Sequence, residues 1–331
     1  MPSSIGQRIT AAISDRKVTA QEVSELIATA KSERKFTPEV KAELQALLAR
    51  NGSGFEPAAR SQLKAFIDST PVQRDLADPT VLTKHSTSVA WNPVGPTGSL
   101  YVDGVSFDDV VQGSIANCYL VSAFSSVAQA NPNLIKDAIK DNGDGTFTVR
   151  FFELNGGRGA RPVFVTVDSD VPAEAGTRSK YGKARDASEG WVTVLEKAYA
   201  QWKGGYEAIG NGGRAGDVFE ALTGRRAGWT STSGTPATRV FASISSTLAA
   251  GRPVTAGTHG KDSGVDYTGT GVYAWHAYTV LGAKEEGGTK YIELRNPWGN
   301  TEPGDDGKND GIFKMKLDDF VKLYSNVYLG G

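Results

Sequence analysis

Cysteine is almost absent from this chain: Cys118 is the one example among 331 residues. A lone thiol has no internal partner, so no disulfide framework holds the fold, and the residue's interest lies in packing or reactivity. An unpaired thiol also suits a reducing compartment. Charge of one sign is missing as well. The 36 Lys and Arg offset 37 Asp and Glu to a net charge of -1, which gives no general attraction for nucleic acid. No apolar run approaches the roughly 18 residues of a membrane span. The opening Met1-Pro2-Ser3-Ser4-Ile5-Gly6-Gln7-Arg8 lacks the apolar core of a signal peptide. A cytoplasmic monomer is therefore expected, with leaderless export left open. No glycine-rich stretch has dinucleotide or P-loop spacing, which removes support for phosphate binding. Asp141 and Asp144 lack the ligand spacing of an EF-hand loop and read as a hairpin turn.

What is present gathers around Cys118. Gln112-Gly113-Ser114-Ile115-Ala116-Asn117 leads into it, and Leu120, Val121, Phe124, Val127 and Ala128 share one helical face behind it until Asn131-Pro132 stops the run. The spacing puts Cys118 in the first turn of a helix, where unpaired N–H groups and the helix dipole favour thiolate over thiol. The Gln112 carboxamide, across a flexible glycine, can donate to an oxygen that becomes negative during acyl transfer. A buried, inert cysteine is the competing reading of this stretch alone.

Two later stretches shift the balance. Ala274 to Leu281 and Tyr291 to Gly299 read as strands rich in aromatic and branched residues, with Lys284-Glu285-Glu286-Gly287-Gly288 as the turn between them. A hairpin centred on Glu286 places His276 beside Asn296 on one face. The Asn carbonyl then fixes the imidazole tautomer and leaves the other ring nitrogen for a thiol. His259, in a Gly-flanked loop, is the rival base, but it has no Asn or Asp in strand register. His85 lacks any partner pattern and reads as an exposed loop residue.

Gln112-Gly113 to Asn117-Cys118-Tyr119-Leu120 is the first of several blocks that together resemble the core of the calpain-type, papain-like cysteine proteases. The others are Trp191 to Leu195-Glu196-Lys197-Ala198-Tyr199-Ala200, Gly204-Gly205-Tyr206-Glu207-Ala208, Phe219-Glu220-Ala221-Leu222-Thr223-Gly224, His276-Ala277-Tyr278 and Arg295-Asn296-Pro297-Trp298-Gly299. They run in family order from about residue 100 onward. The resemblance implies an α+β fold with a helical lobe and a β lobe, and a short form of the kind found in bacteria, without the calpain C-terminal modules. It implies a cysteine endopeptidase acting on protein or peptide substrates. Cys118 would be the nucleophile, His276 the base and acid, and Asn296 its orienter, with Gln112 and the Cys118 N–H forming the oxyanion hole. The Gly212-Gly213 loop would border the substrate cleft, and Trp298 would shield the His–Asn contact or act as a wedge between lobes. The resemblance also implies calcium as a switch, first at Asp109 and Glu189. A second site at Glu302 and Asp310 is compromised, because Ile312 replaces an acidic ligand. Tyr119, Asn117 and Trp275 stand where the family usually has Trp, Asp and Gly, and the bulk of Trp275 narrows the cleft.

The organisation expected is a helical module over residues 1–68, a linker over 69–100, a helical lobe over 101–225 and a β lobe over 226–331. In the module, Thr19-Ala20-Gln21-Glu22 is a capping box and Thr37-Pro38 starts a further helix. The module reads as a plain helical bundle or as a propeptide or regulatory element. Two other functions compete with the peptidase: a transglutaminase-like thiol acyltransferase, which Asn296 in place of Asp opposes, and a degenerate peptidase fold used as a binding module, which the intact Gln, Cys, His and Asn set opposes.

Overall fold

The computed structural model describes residues 5–32, 36–50, 54–92, 100–156, 159–174, 179–304 and 307–331. Residues 51–53, after the helix expected from Thr37-Pro38, lie outside the described residues, as do residues 305 and 306. Two compact units account for the chain: Met1–Ala77 with Asp141–Phe147, and Asp78–Lys140 with Thr148–Gly331.

The first unit holds α1 (Ile5–Ala12), α2 (Ala20–Ser32), α3 (Pro38–Arg50) and α4 (Pro57–Ser69). Local chemistry sets the starts. Thr19 N–H donates to Glu22 Oε2 at 2.8 Å and Glu22 N–H to Thr19 Oγ1 at 3.3 Å, a reciprocal capping box ahead of α2. Thr37 Oγ1 accepts from Val40 N–H at 3.2 Å ahead of α3. Val23, Leu26, Leu44, Ala59 and Leu63 meet in one buried core. Helices this short are marginal alone, and the shared core supplies the stability that propensity does not.

After α4 the chain runs through β1 (Ala90–Asn92), β2 (Val110–Val111), α5 (Cys118–Ala130), α6 (Asn133–Lys136), β3 (Ile139–Asp141), β4 (Thr146–Leu154), β5 (Ala160–Asp168), β6 (Val171–Ala173) and β7 (Lys183–Ala184). It continues through α7 (Trp191–Lys203), α8 (Tyr206–Ile209), α9 (Ala215–Thr223), β8 (Gly228–Ser231), α10 (Ala237–Ala249) and β9 (Val254–Thr258). It ends with β10 (Ala277–Glu286), β11 (Thr289–Arg295), β12 (Ile312–Lys316), α11 (Leu317–Leu323) and β13 (Tyr324–Leu329). The fold is α+β, with helices dominating the middle of the chain and a six-stranded antiparallel sheet, ordered β12-β11-β10-β9-β13-β8, at its end.

Period-two alternation gives that sheet two different faces. Val254, Ala256, Tyr278 and Val280 pack with Val240 and Ile244 of α10 and with Leu317 and Phe320 of α11. The intervening residues face α5, as the 3.0 Å bond from Thr279 Oγ1 to Ser122 O shows. Helices α5 and α7 are buried nearly all round, Tyr119 to Ala128 in one and Trp191 to Ala200 in the other, as expected of helices inside a core.

The β10–β11 register differs from the sequence expectation. Glu286 pairs with Thr289 across Gly287-Gly288, both at positive φ, and a bulge lies between Val280 and Gly282. Lys284 and Glu285 therefore belong to the strand rather than to the turn. Their polar side chains suit either place, and only the paired glycines support a two-residue turn. His276 lies just before β10 and Asn296 just after β11, so the two are not direct cross-strand partners. His85 also departs from expectation: it is half-buried, and its Nδ1 lies 3.1 Å from the Tyr181 hydroxyl.

Candidate active site

Helix α5 begins at Cys118, in a half-buried position. The loop before it needs glycine. A Cβ on Gly113 would lie 2.3 Å from the Lys180 and Tyr181 carbonyl oxygens. That close approach presses the loop against the 179–182 segment, where Ser114 N–H bonds Lys180 O at 2.9 Å. The Gln112 carboxamide donates from Nε2 to Ile115 O at 2.7 Å. One of its two amide hydrogens is thus committed to the loop, and its Oε1 is buried without a partner.

His276 is 8% exposed and Asn296 fully buried. His276 Nε2 lies 2.9 Å from Asn296 Oδ1. The orientation of the Asn amide is set by two further bonds: its Nδ2 donates to Thr301 O at 2.9 Å, and its Oδ1 accepts from Trp298 N–H at 3.2 Å. An oxygen can only accept, so His276 carries its proton on Nε2 and presents a lone pair at Nδ1. Aromatic rings enclose the imidazole, with Trp298 at 4.8 Å, Tyr278 at 4.9 Å and Tyr273 at 6.4 Å between centroids. Burial drives the His276 pKa down from 6.5 to about 4, against the opposing pull of Asn296. Burial likewise pushes the Cys118 thiol up from its ordinary value of 9.0, only partly offset by the backbone amides of Ala277, Tyr119 and Cys118. The thiolate expected from the helix start alone is therefore not favoured at rest, because loss of hydration outweighs the local dipoles. Both shifts favour thiol and neutral imidazole over the ion pair.

Cys118 and His276 line one cavity of about 250 Å³ together with Tyr119, Gly212, Gly213 and Trp275, and with Thr255, Gly257, Asn326 and Tyr328, which sequence reasoning did not single out. Gly213 is another close approach: a Cβ there would sit 2.4 Å from the Tyr119 ring. Trp275 is 69% exposed and holds a left-handed φ of 57°. Trp298 does not line this cavity and packs instead on His276 and Tyr273. His259 lies outside the cavity lining and takes part through its backbone, donating to Tyr267 Oη and accepting from Trp275 N–H.

Three carboxylates, Asp103, Asp109 and Glu189, bring ligand oxygens within 4.8 Å of one another. Asp109 is anchored by Ser106 N–H and Trp191 Nε1, and Glu189 by Val102 N–H. Among the described residues no lysine or arginine pairs with any of the three. Burial, with Asp109 and Asp103 nearby, raises Glu189 to about 7. Concentrated, unneutralised hard oxygens fit a calcium ion. Asp103 escaped sequence reading because nothing local marks it; only the fold brings it to Asp109. Glu302 and Asp310 form no comparable group among the described residues. Glu302 Oε2 accepts from Gly311 N–H and Asp310 Oδ1 from Ile312 N–H, so both brace their own loop. A second acidic group, Asp168 and Asp170, is met by the buried Lys197, whose Nζ lies 2.5 Å from Asp168 and 2.7 Å from Asp78.

A half-buried thiol at a helix start, sharing a cleft with a tautomer-fixed imidazole, is equipment for thiol-dependent acyl transfer. Comparison with known proteins agrees in kind. Residues 83–305 match the model of the calpain family cysteine proteases, and the chain belongs to that family. It is 31% identical over 234 residues to the calpain-type cysteine protease ADL1 of Oryza sativa subsp. japonica, covering 66% of this chain and 10% of that protein. It is 29% identical over 277 residues to the calpain-2 catalytic subunit of Bos taurus, covering 74% and 38%. The chain thus spans about a tenth of the rice relative's length and well under half of the bovine one's. The structure of a digestive procathepsin L2 proteinase from Tenebrio molitor aligns over 91% of this chain and 93% of its own, at 15% identity and a TM-score of 0.27, too loose a match to carry an argument.

Proposed function

We propose that this chain is a cysteine endopeptidase that hydrolyses peptide bonds of proteins, with Cys118 as nucleophile, His276 as general base and acid, and Asn296 as its orienter. The observation that carries the reading is the pinned His276–Asn296 bond, which leaves Nδ1 as the proton acceptor in the cleft that Cys118 lines. The Cys118 proton passes to His276 Nδ1 as Sγ attacks the scissile carbonyl carbon, and the carbonyl π pair moves onto oxygen. The Cys118 N–H and the remaining Gln112 amide hydrogen are the donors for that oxyanion. As the tetrahedral adduct collapses, the C–N bond breaks and the leaving amine takes the proton from Nδ1. Water then attacks the thioester, giving one proton to Nδ1 and hence to the departing Sγ. Trp298, Tyr273 and Tyr278 exclude water from the imidazole and strengthen its bond to Asn296.

Asp103, Asp109 and Glu189 are the residues that would hold calcium, where it would neutralise their mutual repulsion. The test is hydrolysis of casein with and without calcium. Cys118→Ser and His276→Ala are each expected to abolish cleavage in a protein that still melts cooperatively. Full turnover by Cys118→Ser would end the peptidase reading.

A further inference from the structure

The residue before the nucleophile behaves unusually for its position. Asn117 is the N-cap of α5, and asparagine there normally turns its side-chain oxygen back to accept from a first-turn N–H. Here it makes no side-chain cap bond. Its Nδ2 instead donates to Glu196 Oε1 at 2.6 Å, and its Oδ1, the atom a cap would use, is buried without a partner. Glu196 lies on α7, fully buried, and its two oxygens also accept from Gly182 N–H at 3.0 and 2.9 Å. A Cβ on Gly182 would approach Oε1 to 2.6 Å, so the carboxylate is seated directly on backbone. Among the described residues no lysine or arginine forms an ion pair with it.

Burial raises the Glu196 carboxyl from 4.5 to about 7, against the hydrogen bonds from Asn117 and Gly182 and the charge of Lys183, so it is expensive to keep, and the proposed chemistry above does not use it. Its effect is on the start of α5. Leu120 N–H bonds Asn117 O at 2.8 Å, and the amides of Cys118 and Tyr119 are left to act on the Cys118 sulfur. A capping Asn117 oxygen would take the Tyr119 amide, the second of the first turn.

We propose that Glu196 is a positioning residue for the proposed reaction: by holding the Asn117 amide it keeps α5 uncapped, so that the Tyr119 N–H stays free to serve the Cys118 thiolate. The inference rests on the peptidase reading, and its test separates the two. Glu196→Leu fills the space but cannot accept a hydrogen bond, which frees Asn117 to cap. Its kcat is expected to fall on the order of 10²-fold with KM changed only a few-fold, as for loss of one preorganised donor to developing negative charge. Adding Asn117→Ala, which removes the competing oxygen, is expected to restore at least about tenfold. A purely structural role for Glu196 predicts no such rescue. Glu196→Gln keeps a polar hold on Asn117 and should stay within about tenfold of wild type.

The second readout is the initial rate of iodoacetamide labelling, which reports Cys118 alone because the chain has no other cysteine. The expected order is wild type, then Glu196→Gln, then the double variant, then Glu196→Leu. The same order in labelling, with no peptide cleaved by wild type, would keep the positioning role and remove the peptidase reading. Equal losses in Glu196→Leu and the double variant would overturn the proposal, as would no loss in either readout. If Glu196→Leu fails to melt cooperatively, Glu196→Gln decides: a loss of 10²-fold or more there, with its hydrogen bonds kept, refutes the positioning role.

Discussion

The shifts at Cys118 and His276 both favour a neutral pair in the cleft, and that makes a quantitative prediction about pH. At the thiol's ordinary pKa of 9.0, which burial here raises further, the thiolate fraction at pH 7 is below about 1%, and it falls tenfold per unit below that. Labelling of Cys118 by iodoacetamide, without substrate, should therefore rise about tenfold per pH unit from 6 to 9. A resting thiolate–imidazolium pair would instead give a plateau beginning in mildly acid solution. The same burial has a stability consequence through His276. Its pKa falls from 6.5 to about 4 on folding, a difference worth roughly 3 kcal/mol at about 1.4 kcal/mol per unit. The sign follows from proton counting: between these values the unfolded chain binds the extra proton, so this stability is complete above pH 6.5 and is lost as pH falls through 4. Urea unfolding from pH 8 to 4 should show that slope in wild type and lack it in His276→Leu. A flat labelling rate between pH 5 and 8, or an unchanged slope in the variant, would refute the neutral pair.

Three further outcomes are expected. Asp109→Asn or Glu189→Gln should eliminate calcium binding in isothermal titration of the whole chain, whereas Glu302→Gln should leave that titration unchanged. Trp275→Gly removes a non-glycine residue from a left-handed φ of 57°, so it should raise stability by about 1 kcal/mol and broaden the range of peptides cleaved from a mixed library; a lower melting temperature would contradict the strain argument. Lys197→Met leaves Asp168 and Asp78 without their buried cation and should destabilise by about 3–5 kcal/mol, with recovery on adding Asp168→Leu; denaturant midpoints within error of wild type would show that the network contributes little.

What the sequence made legible was local. The capping box at Thr19 and Glu22, the start of α3 at Thr37-Pro38 and the placement of Cys118 at a helix start depend on residues within a turn or two of one another. The hairpin register was not legible, because Lys284, Glu285 and Glu286 fit either a strand end or a turn, and a bulge near Leu281 has no signature of its own. Yet His276 and Asn296 still meet: side chains flanking the strand ends span the offset between the predicted and observed registers. The direction of the thiol shift was hidden for another reason. A helix start can be read from spacing, whereas burial of the sulfur depends on the β9–β10 edge, far along the chain. Asp103 and the Glu196–Asn117 contact are likewise products of tertiary closure.

The two halves of the cleft are joined by bonds rather than by apolar contact alone, which bears on how calcium could act. Serines inside an apolar helix usually bond back to their own backbone. In α5 they reach outward: Ser122 Oγ donates to Ala277 O at 2.9 Å, Ser126 Oγ to Val254 O at 2.8 Å, and Ser125 Oγ to Phe107 O at 2.8 Å. Ala277 follows His276, so the helix that starts at Cys118 is tied directly to the strand that begins beside His276. Directional bonds of this kind resist the sliding that a smooth apolar seam permits. On the other side, the buried Arg295 donates from Nη2 to Asp108 O at 3.1 Å and Val110 O at 2.8 Å. Arg295 precedes Asn296, and Asp108 precedes Asp109 of the carboxylate cluster. Repulsion among Asp103, Asp109 and Glu189 therefore bears on a segment that is bonded to both α5 and the Asn296 loop. A cation that relaxed that repulsion would act on the partner of His276 through Arg295, while the serine bonds hold Cys118 and His276 in register.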